Sequence, residues 1–241
     1  MKLTVDNLVI EVTRRCNMAC AHCMRGDAQN KDMTREIIDR VFENIASIGI
    51  ITFTGGEPTL NIDIIQYALD ICRKKAIDVF SFYIVTNGKI VPEEFLVTCL
   101  RWHAYTLKCS GDENYSGVAL SKDQFHDPIP AENIMLLQTL ACFRPNDKHT
   151  DFGKYGVNPI GRAKTLTDMP VNKHHHQSLP DSFIQGHEND EITIETMTVT
   201  VNGDILSDCD YDYDDIEQIT VGNIFNPKWL ENHIENYNDE R

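Results

Sequence analysis

Apolar and polar positions alternate in period along the first hundred residues, and the changes of period mark out elements. Leu8 to Thr13 (LVIEVT) is a short β-rich run, read as a strand. Thr34 to Ile48 carries Ile37, Ile38, Val41, Phe42, Ile45 and Ile48 at helical spacing, which predicts a helix capped by Thr34 and ended by Gly49. Ile50 to Thr54 (IITFT) reads as a buried strand, broken by Gly55-Gly56-Glu57-Pro58. Ile62 to Lys74 predicts a helix with Ile64, Ile65, Ala68, Leu69 and Cys72 on one face. Val79 to Thr86 predicts a third strand, Asn87-Gly88 a turn, and Pro92 to Trp102 a helix with proline in its first turn.

Strand and helix taken in turn predict an α/β fold with a parallel sheet and right-handed crossovers. Beyond Trp102 the pattern weakens. Tyr105 to Ser110 and Val118 to Ser121 are candidate strands, and Ala131 to Phe143 a helix. Asp151 to Asn158 is a poor strand containing two glycines, running into Pro159-Ile160-Gly161-Arg162-Ala163. Lys164 to Asp190 is polar and irregular and reads as a long loop. Ile192 to Val201 alternates strongly, Asn202-Gly203 marks a hairpin, Ile205 to Ser207 returns, and a last helix is expected over Pro227 to Asn236.

Composition narrows the class. The chain has 241 residues, 41% hydrophobic and 24% charged, which suits a globular protein with a full core. Nothing approaches the roughly 18 consecutive apolar residues of a spanning helix, and Met1 to Asp6 lacks signal-peptide character, so a cytoplasmic location without membrane association is expected. A net charge of −15 repels a phosphate backbone, which argues against nucleic acid as a partner. Arg14-Arg15 reads as a solvated pair, and Arg73-Lys74-Lys75 as a favourable helix C-terminus. Eight cysteines without the regular spacing of a secreted scaffold fit a reducing compartment.

Three of those cysteines carry the chemistry. Cys16, Cys20 and Cys23 are spaced C-x3-C-x2-C directly after the first strand. Three close thiols suit zinc completed by a distant histidine, plain buried thiols, or an iron–sulfur cluster with one iron left open. Together with Gly55-Gly56-Glu57-Pro58 after the next strand, the triplet resembles the radical S-adenosylmethionine (SAM) superfamily. The resemblance covers residues 8 to 163 well and the later hairpin weakly. It implies a partial (β/α)6-type parallel barrel over residues 1–165, with a C-terminal extension over 166–241 holding a β-hairpin and terminal helix. It implies a [4Fe–4S] cluster on Cys16, Cys20 and Cys23, whose open iron takes the amino and carboxylate groups of SAM. An electron from a low-potential donor such as flavodoxin or ferredoxin then yields a 5′-deoxyadenosyl radical that takes a hydrogen atom from substrate.

The same resemblance suggests who holds SAM. Gly55, Gly56 and Glu57 lie where the family meets the methionyl amino group, and the glycines would let backbone approach a ligand closely. His22 stands where an aromatic residue often lies near the adenine. Thr86 and Asn87 match the polar end of the third strand, although Asn87-Gly88 is also an ordinary turn. Ser121 and Asp123 resemble the fourth-strand segment that meets the ribose, with Ser110-Gly111-Asp112 as a rival. The arginine many relatives carry nearby is missing between Arg101 and Arg144, leaving Lys122 or Arg162 as carboxylate partner. No residue is singled out as catalytic.

Gly161-Arg162-Ala163 resembles an element of peptide-modifying and sulfatase-maturing relatives, and the Val199 to Ile224 segment resembles the hairpin opening their auxiliary-cluster extension. Only Cys209 matches a cluster cysteine there, so the extension is read as a remnant without metal. Cys109, placed in an irregular stretch, and Cys209 are read as buried thiols rather than hydrogen donors. His174-His175-His176 and the run Asp208, Asp210, Asp212, Asp214 and Asp215 are read as solvated loops. The expected function is radical SAM chemistry on a peptide or protein side chain. The alternatives are a small-molecule rearrangement of the deazapurine type, activation of a glycyl-radical enzyme, and an inactive protein that only binds cluster or SAM.

Overall fold

The computed structural model describes residues 1–111, 115–145, 156–173, 177–231, 233–234 and 237. Strand β1 (Lys2–Thr13) lies at the centre of one sheet because Leu8 to Thr13 is buried on both faces, as befits a largely apolar run in a parallel sheet. Strands β2 (Ile45–Gly55), β3 (Asp78–Thr86), β4 (Gly117–Leu120) and β5 (Phe143–Pro145) follow outward on one side, all parallel. On the other side β7 (Glu191–Val199) pairs in parallel along β1 from Lys2↔Glu191 to Ile10↔Val199. Antiparallel β8 (Asp204–Leu206) and β9 (Thr220–Asn223) continue outward, while β6 (Ile184–Glu188) pairs with β7. The order β5-β4-β3-β2-β1-β7 makes a partial parallel barrel whose sheet does not close.

Helices α1 (Arg35–Val41), α2 (Ile62–Lys75), α3 (Glu93–Ser110) and α4 (Ala131–Gln138) connect the parallel strands. Thr34 caps α1 by accepting from the Ile37 N–H. Arg73, Lys74 and Lys75 occupy the last turn of α2, against the negative end of its dipole. Trp102 of α3 is fully buried, donates Nε1–H to the Ile65 carbonyl at 3.0 Å and packs 5.2 Å from the Phe53 ring. It thereby locks α3, α2 and the sheet together.

Several expectations change. The helix expected over Thr34 to Ile48 stops at Val41, because Ile45 and Ile48 turn their apolar side chains into β2, with Leu3↔Ile45 and Val5↔Ile48 in register. Gly49 does not end a helix but lies within that strand, where an added Cβ would come 2.5 Å from the Asp6 carbonyl. Tyr105 to Ser110 is not a strand: Thr98, Cys99, Trp102 and Thr106 continue one buried helical face, so Cys109 also lies on α3. Pro92 caps that helix rather than entering its first turn. Ala131 to Phe143 divides into α4 and the start of β5. Lys164 to Asp190 contains β6, because Ile184 is buried opposite Ile194. Residues 151–155 of the expected poor strand and part of the expected terminal helix lie outside the described residues; Val157 makes a single bridge to Val171.

The chain therefore leaves β1, β2, β3 and β4 at Thr13, Gly55, Thr86 and Leu120 on one rim. In parallel barrels that rim is where ligands bind.

Candidate functional site

The cysteine loop is gripped from two sides by backbone. After β2, the Gly56 N–H donates to the Thr13 carbonyl and the Glu57 N–H to the Arg15 carbonyl, both at 2.8 Å. A Cβ on Gly55, whose φ is +141°, would lie 2.1 Å from the Thr13 oxygen, and one on Gly56 2.1 Å from the Arg15 oxygen. The close approach the two glycines permit is thus made by the chain leading into the cysteines. On the other side the Arg162 N–H donates to the Cys23 carbonyl at 2.9 Å. Gly161, at φ +58°, leaves no room for a Cβ, which would stand 2.3 Å from the Met24 oxygen.

Glu57 is buried and accepts four hydrogen bonds. Oε1 takes the Thr59 N–H (3.1 Å), the Thr59 hydroxyl (2.9 Å) and the Thr86 hydroxyl (2.8 Å), and Oε2 takes the Asn87 N–H (2.8 Å). Burial pushes its carboxyl above the usual range, and those hydrogen bonds oppose the shift. Thr86 therefore stands behind the rim as a support for Glu57, whereas Asn87 reaches the cysteines. Asn87 Nδ2 donates to Asn17 Oδ1 at 2.7 Å and lies 4.0 Å from Cys16 Sγ.

Cys16, Cys20 and Cys23 are free, partly buried thiols on the wall of one cavity of about 440 Å³. Burial raises the Cys16 pKa, and negative charge on Glu57, Cys20 and Cys23 adds to that rise. Gly55, Gly56, Glu57, Asn87, His22, Ser121, Asp123 and Arg162 line the same cavity, whereas Thr86 stands outside the lining. Lys122 is exposed and does not line it. Ser110 ends α3, and Asp112 lies outside the described residues, as do His174 to His176.

Beyond β4, Asp123 holds two imidazoles. Its Oδ1 is 2.8 Å from His126 Nδ1 and its Oδ2 is 3.4 Å from His22 Nε2, while the His22 ring stacks on Phe125 at 4.6 Å. Burial works against a charged His126, but hydrogen bonds with Asp123 and Cys20 outweigh it and push its pKa up to about 10. Burial lowers His22 instead, with Asp123 opposing.

The acidic run is solvated only in part: Asp214 and Asp215 are exposed, but the centre of the run is not. Tyr211, Asp212 and Tyr213 are buried because they pack on the cysteine loop. The Arg25 guanidinium lies 3.7 Å from the Tyr211 ring centroid and Arg14 lies 4.3 Å from that of Tyr213. The Tyr213 N–H donates to the Arg25 carbonyl at 3.1 Å. Asp212 Oδ2 accepts from Lys164 Nζ (2.9 Å) and the Gly161 N–H (3.1 Å). Arg14, expected to be solvated, is 2% exposed because its Nε pairs with fully buried Glu11 at 3.1 Å. Tyr213, Arg14 and Arg25 thus line the cavity unannounced by any motif; the one available signal was tyrosine alternating with aspartate, a period-two pattern. Cys209 lies outside the lining, partly buried, with its pKa raised by burial to about 11.

The donor set fits an iron–sulfur cluster. Three thiols free of disulfides converge on one cavity, negative charge on Cys20 and Cys23 disfavours the thiolate of Cys16, and a set of three leaves one iron of a cubane open.

Comparison with known proteins agrees with that chemistry. Residues 10–97 match the radical SAM superfamily. A probable GTP 3′,8-cyclase of Pyrococcus horikoshii is 36% identical over 88 residues, covering 35% of this chain and 27% of that protein. A GTP 3′,8-cyclase of Desulforamulus reducens is 33% identical over 132 residues, covering 51% of this chain and 37% of that protein. An uncharacterized protein of Methanocaldococcus jannaschii is 30% identical over 94 residues, covering 37% and 33%. The chain matches about a third of the length of these curated relatives. Among solved structures, native anSMEcpe with bound AdoMet and Cp18Cys peptide superposes with a TM-score of 0.57 at 15% identity, covering 99% of this chain and 82% of that one. That likeness shows a shared fold. Among the described residues no helix is long and apolar enough to cross a membrane.

Proposed function

We propose, from the match of residues 10–97 to the radical SAM superfamily, that this chain is a radical SAM enzyme acting on a peptide or protein side chain. The observation that carries the chemistry is the convergence of Cys16, Cys20 and Cys23 on one cavity, with Glu57 behind them tied to Asn87. Bound there, a [4Fe–4S] cluster and SAM would supply a 5′-deoxyadenosyl radical that takes a hydrogen atom from substrate. The cofactors carry that chemistry and the protein orients and shields it.

The chain's own groups have separable tasks. Cys16, Cys20 and Cys23 hold iron. The Gly55-Gly56 backbone fixes the cysteine loop on one side and Gly161-Arg162 on the other, so the three thiols are positioned before any ligand arrives. Thr54 to Glu57 form the wall for the methionyl amino group, Ser121 and Asp123 the wall for the ribose, and His22 the neighbourhood of the adenine. Arg162 is the carboxylate partner, because it lines the cavity and Lys122 does not. Tyr213, backed by Arg14, forms part of the wall. An electron donor of low potential, flavodoxin or ferredoxin, completes the system.

The peptide reading is supported by the charge of the cavity. Two of its three arginines are engaged within the protein, Arg14 with Glu11 and Gln29 and Arg25 with the Tyr211 carbonyl, and the third, Arg162, is assigned to SAM. That arrangement suits a neutral or cationic side chain better than a triphosphate. A solved relative in fold holds both AdoMet and a peptide. A second reading, rearrangement of a purine nucleotide, is favoured by relatives of 33–36% identity that are GTP 3′,8-cyclases. The test is 5′-deoxyadenosine formation by reconstituted protein with cysteine- or serine-containing peptides and with GTP. Stimulation by peptide supports the first reading; stimulation by GTP alone replaces it with the second.

A further inference from the structure

Asn87 is placed to do more than end a strand. Its backbone N–H is held by Glu57 Oε2 at 2.8 Å, and its side-chain oxygen accepts the Lys89 N–H at 3.0 Å. The second bond settles the orientation of the amide, because the oxygen must face Lys89 and the NH2 must face the opposite way. That opposite side holds the cysteine loop. One N–H reaches Asn17 Oδ1 at 2.7 Å, and Nδ2 stands 4.0 Å from Cys16 Sγ, leaving the other N–H directed at the sulfur. Asn87 is 7% exposed, so little water competes for its amide.

We propose that Asn87 is a positioning residue that donates an N–H···S hydrogen bond to the Cys16 thiolate and thereby raises the reduction potential of the cluster held there. The inference rests on the radical SAM reading of the site. Hydrogen bonds to cluster sulfurs are among the determinants of potential. Their sign follows from charge: a donor stabilises the more negative, reduced cluster more than the oxidised one, so removing it makes reduction harder. Glu57 acts through Asn87 in this arrangement, fixing its backbone. The Glu57 carboxylate faces the end of β3, and the amide lies between that end and the sulfur.

The test is an anaerobic redox titration, followed by electron paramagnetic resonance, of reconstituted wild type, Asn87→Ala and Asn87→Asp. Asn87→Asp keeps the shape and the oxygen facing Lys89 but replaces the donor with a carboxylate oxygen. Both variants are expected to retain about four irons per chain and to titrate at a more negative potential, with Asn87→Asp shifted further. Midpoints equal to wild type at full iron content would overturn the inference while leaving the radical SAM reading intact. Loss of iron from both variants with the fold preserved would also overturn it, since Asn87 would then be needed to assemble the site. Failure of wild type itself to bind iron would overturn the reading of the site, and this inference with it.

Discussion

The backbone N–H of Asn87 donates to Glu57 Oε2 at 2.8 Å, joining the end of β3 to the turn that follows β2 across thirty positions of sequence. The same carboxylate holds the hydroxyls of Thr59 and Thr86, so one buried acid fixes two of the segments that face the cysteines.

Glu57→Ala leaves four donors on the buried residues Thr59, Thr86 and Asn87 without their acceptor. Unsatisfied buried groups of this kind cost about 1–3 kcal/mol each, and partial relaxation brings the expected loss to on the order of 3 kcal/mol. Glu57→Gln keeps one oxygen and is expected to lose less. Denaturant midpoints at constant slope measure both.

The glycines that face backbone are expected to be intolerant. Gly56→Ala and Gly161→Ala would force a Cβ to 2.1 Å from the Arg15 oxygen and 2.3 Å from the Met24 oxygen. The cysteine loop must then shift. Iron bound after reconstitution should fall well below wild type while far-ultraviolet circular dichroism is kept, because the displaced segments lie outside the strands and main helices.

Asp212 links stability to pH. Burial alone would raise its carboxyl, but Lys164 and the N–H groups of Asp214 and Gly161 outweigh burial and hold it below the usual range. Its contribution is therefore present above the unfolded value of about 4 and is lost as pH falls through the lower folded value. Asp212→Asn should be less stable than wild type at neutral pH, and the gap should narrow below about pH 4. Added salt should shrink the gap at neutral pH, since Lys164 is half exposed.

Arg162→Ala is expected to weaken SAM binding to the reconstituted protein by about tenfold, or 1.4 kcal/mol. Asp27→Ala should change it by less than about twofold, because Asp27 is exposed and surface pairs contribute little. Calorimetric titration with SAM distinguishes the two.

Much of this architecture was legible in the sequence where one signal dominated. The LVIEVT run predicts a strand, which is buried on both faces, and the cysteines with Gly-Gly-Glu-Pro point to segments that line one cavity. Ile45 and Ile48 were misread because they sit at helical spacing from Val41 and Phe42, and only pairing with Leu3 and Val5 draws them into β2. The C-terminal half of α3 was missed because its apolar positions thin out after Trp102. Tyr211 to Tyr213 looked solvated because aspartates surround them, yet each ring meets an arginine supplied from nearly two hundred residues away. Period and composition report local preference; contacts of that range leave no local trace.

The central claim is that three thiols on this rim hold an iron–sulfur cluster with an open iron. Anaerobic reconstitution followed by iron and sulfide counting, on wild type and Cys20→Ala, tests it most directly. The account predicts about four irons and four sulfides per wild-type chain, near-ultraviolet and visible absorption that bleaches on reduction, and loss of both in Cys20→Ala. Zinc in place of iron, or wild-type iron content retained in Cys20→Ala, would contradict it.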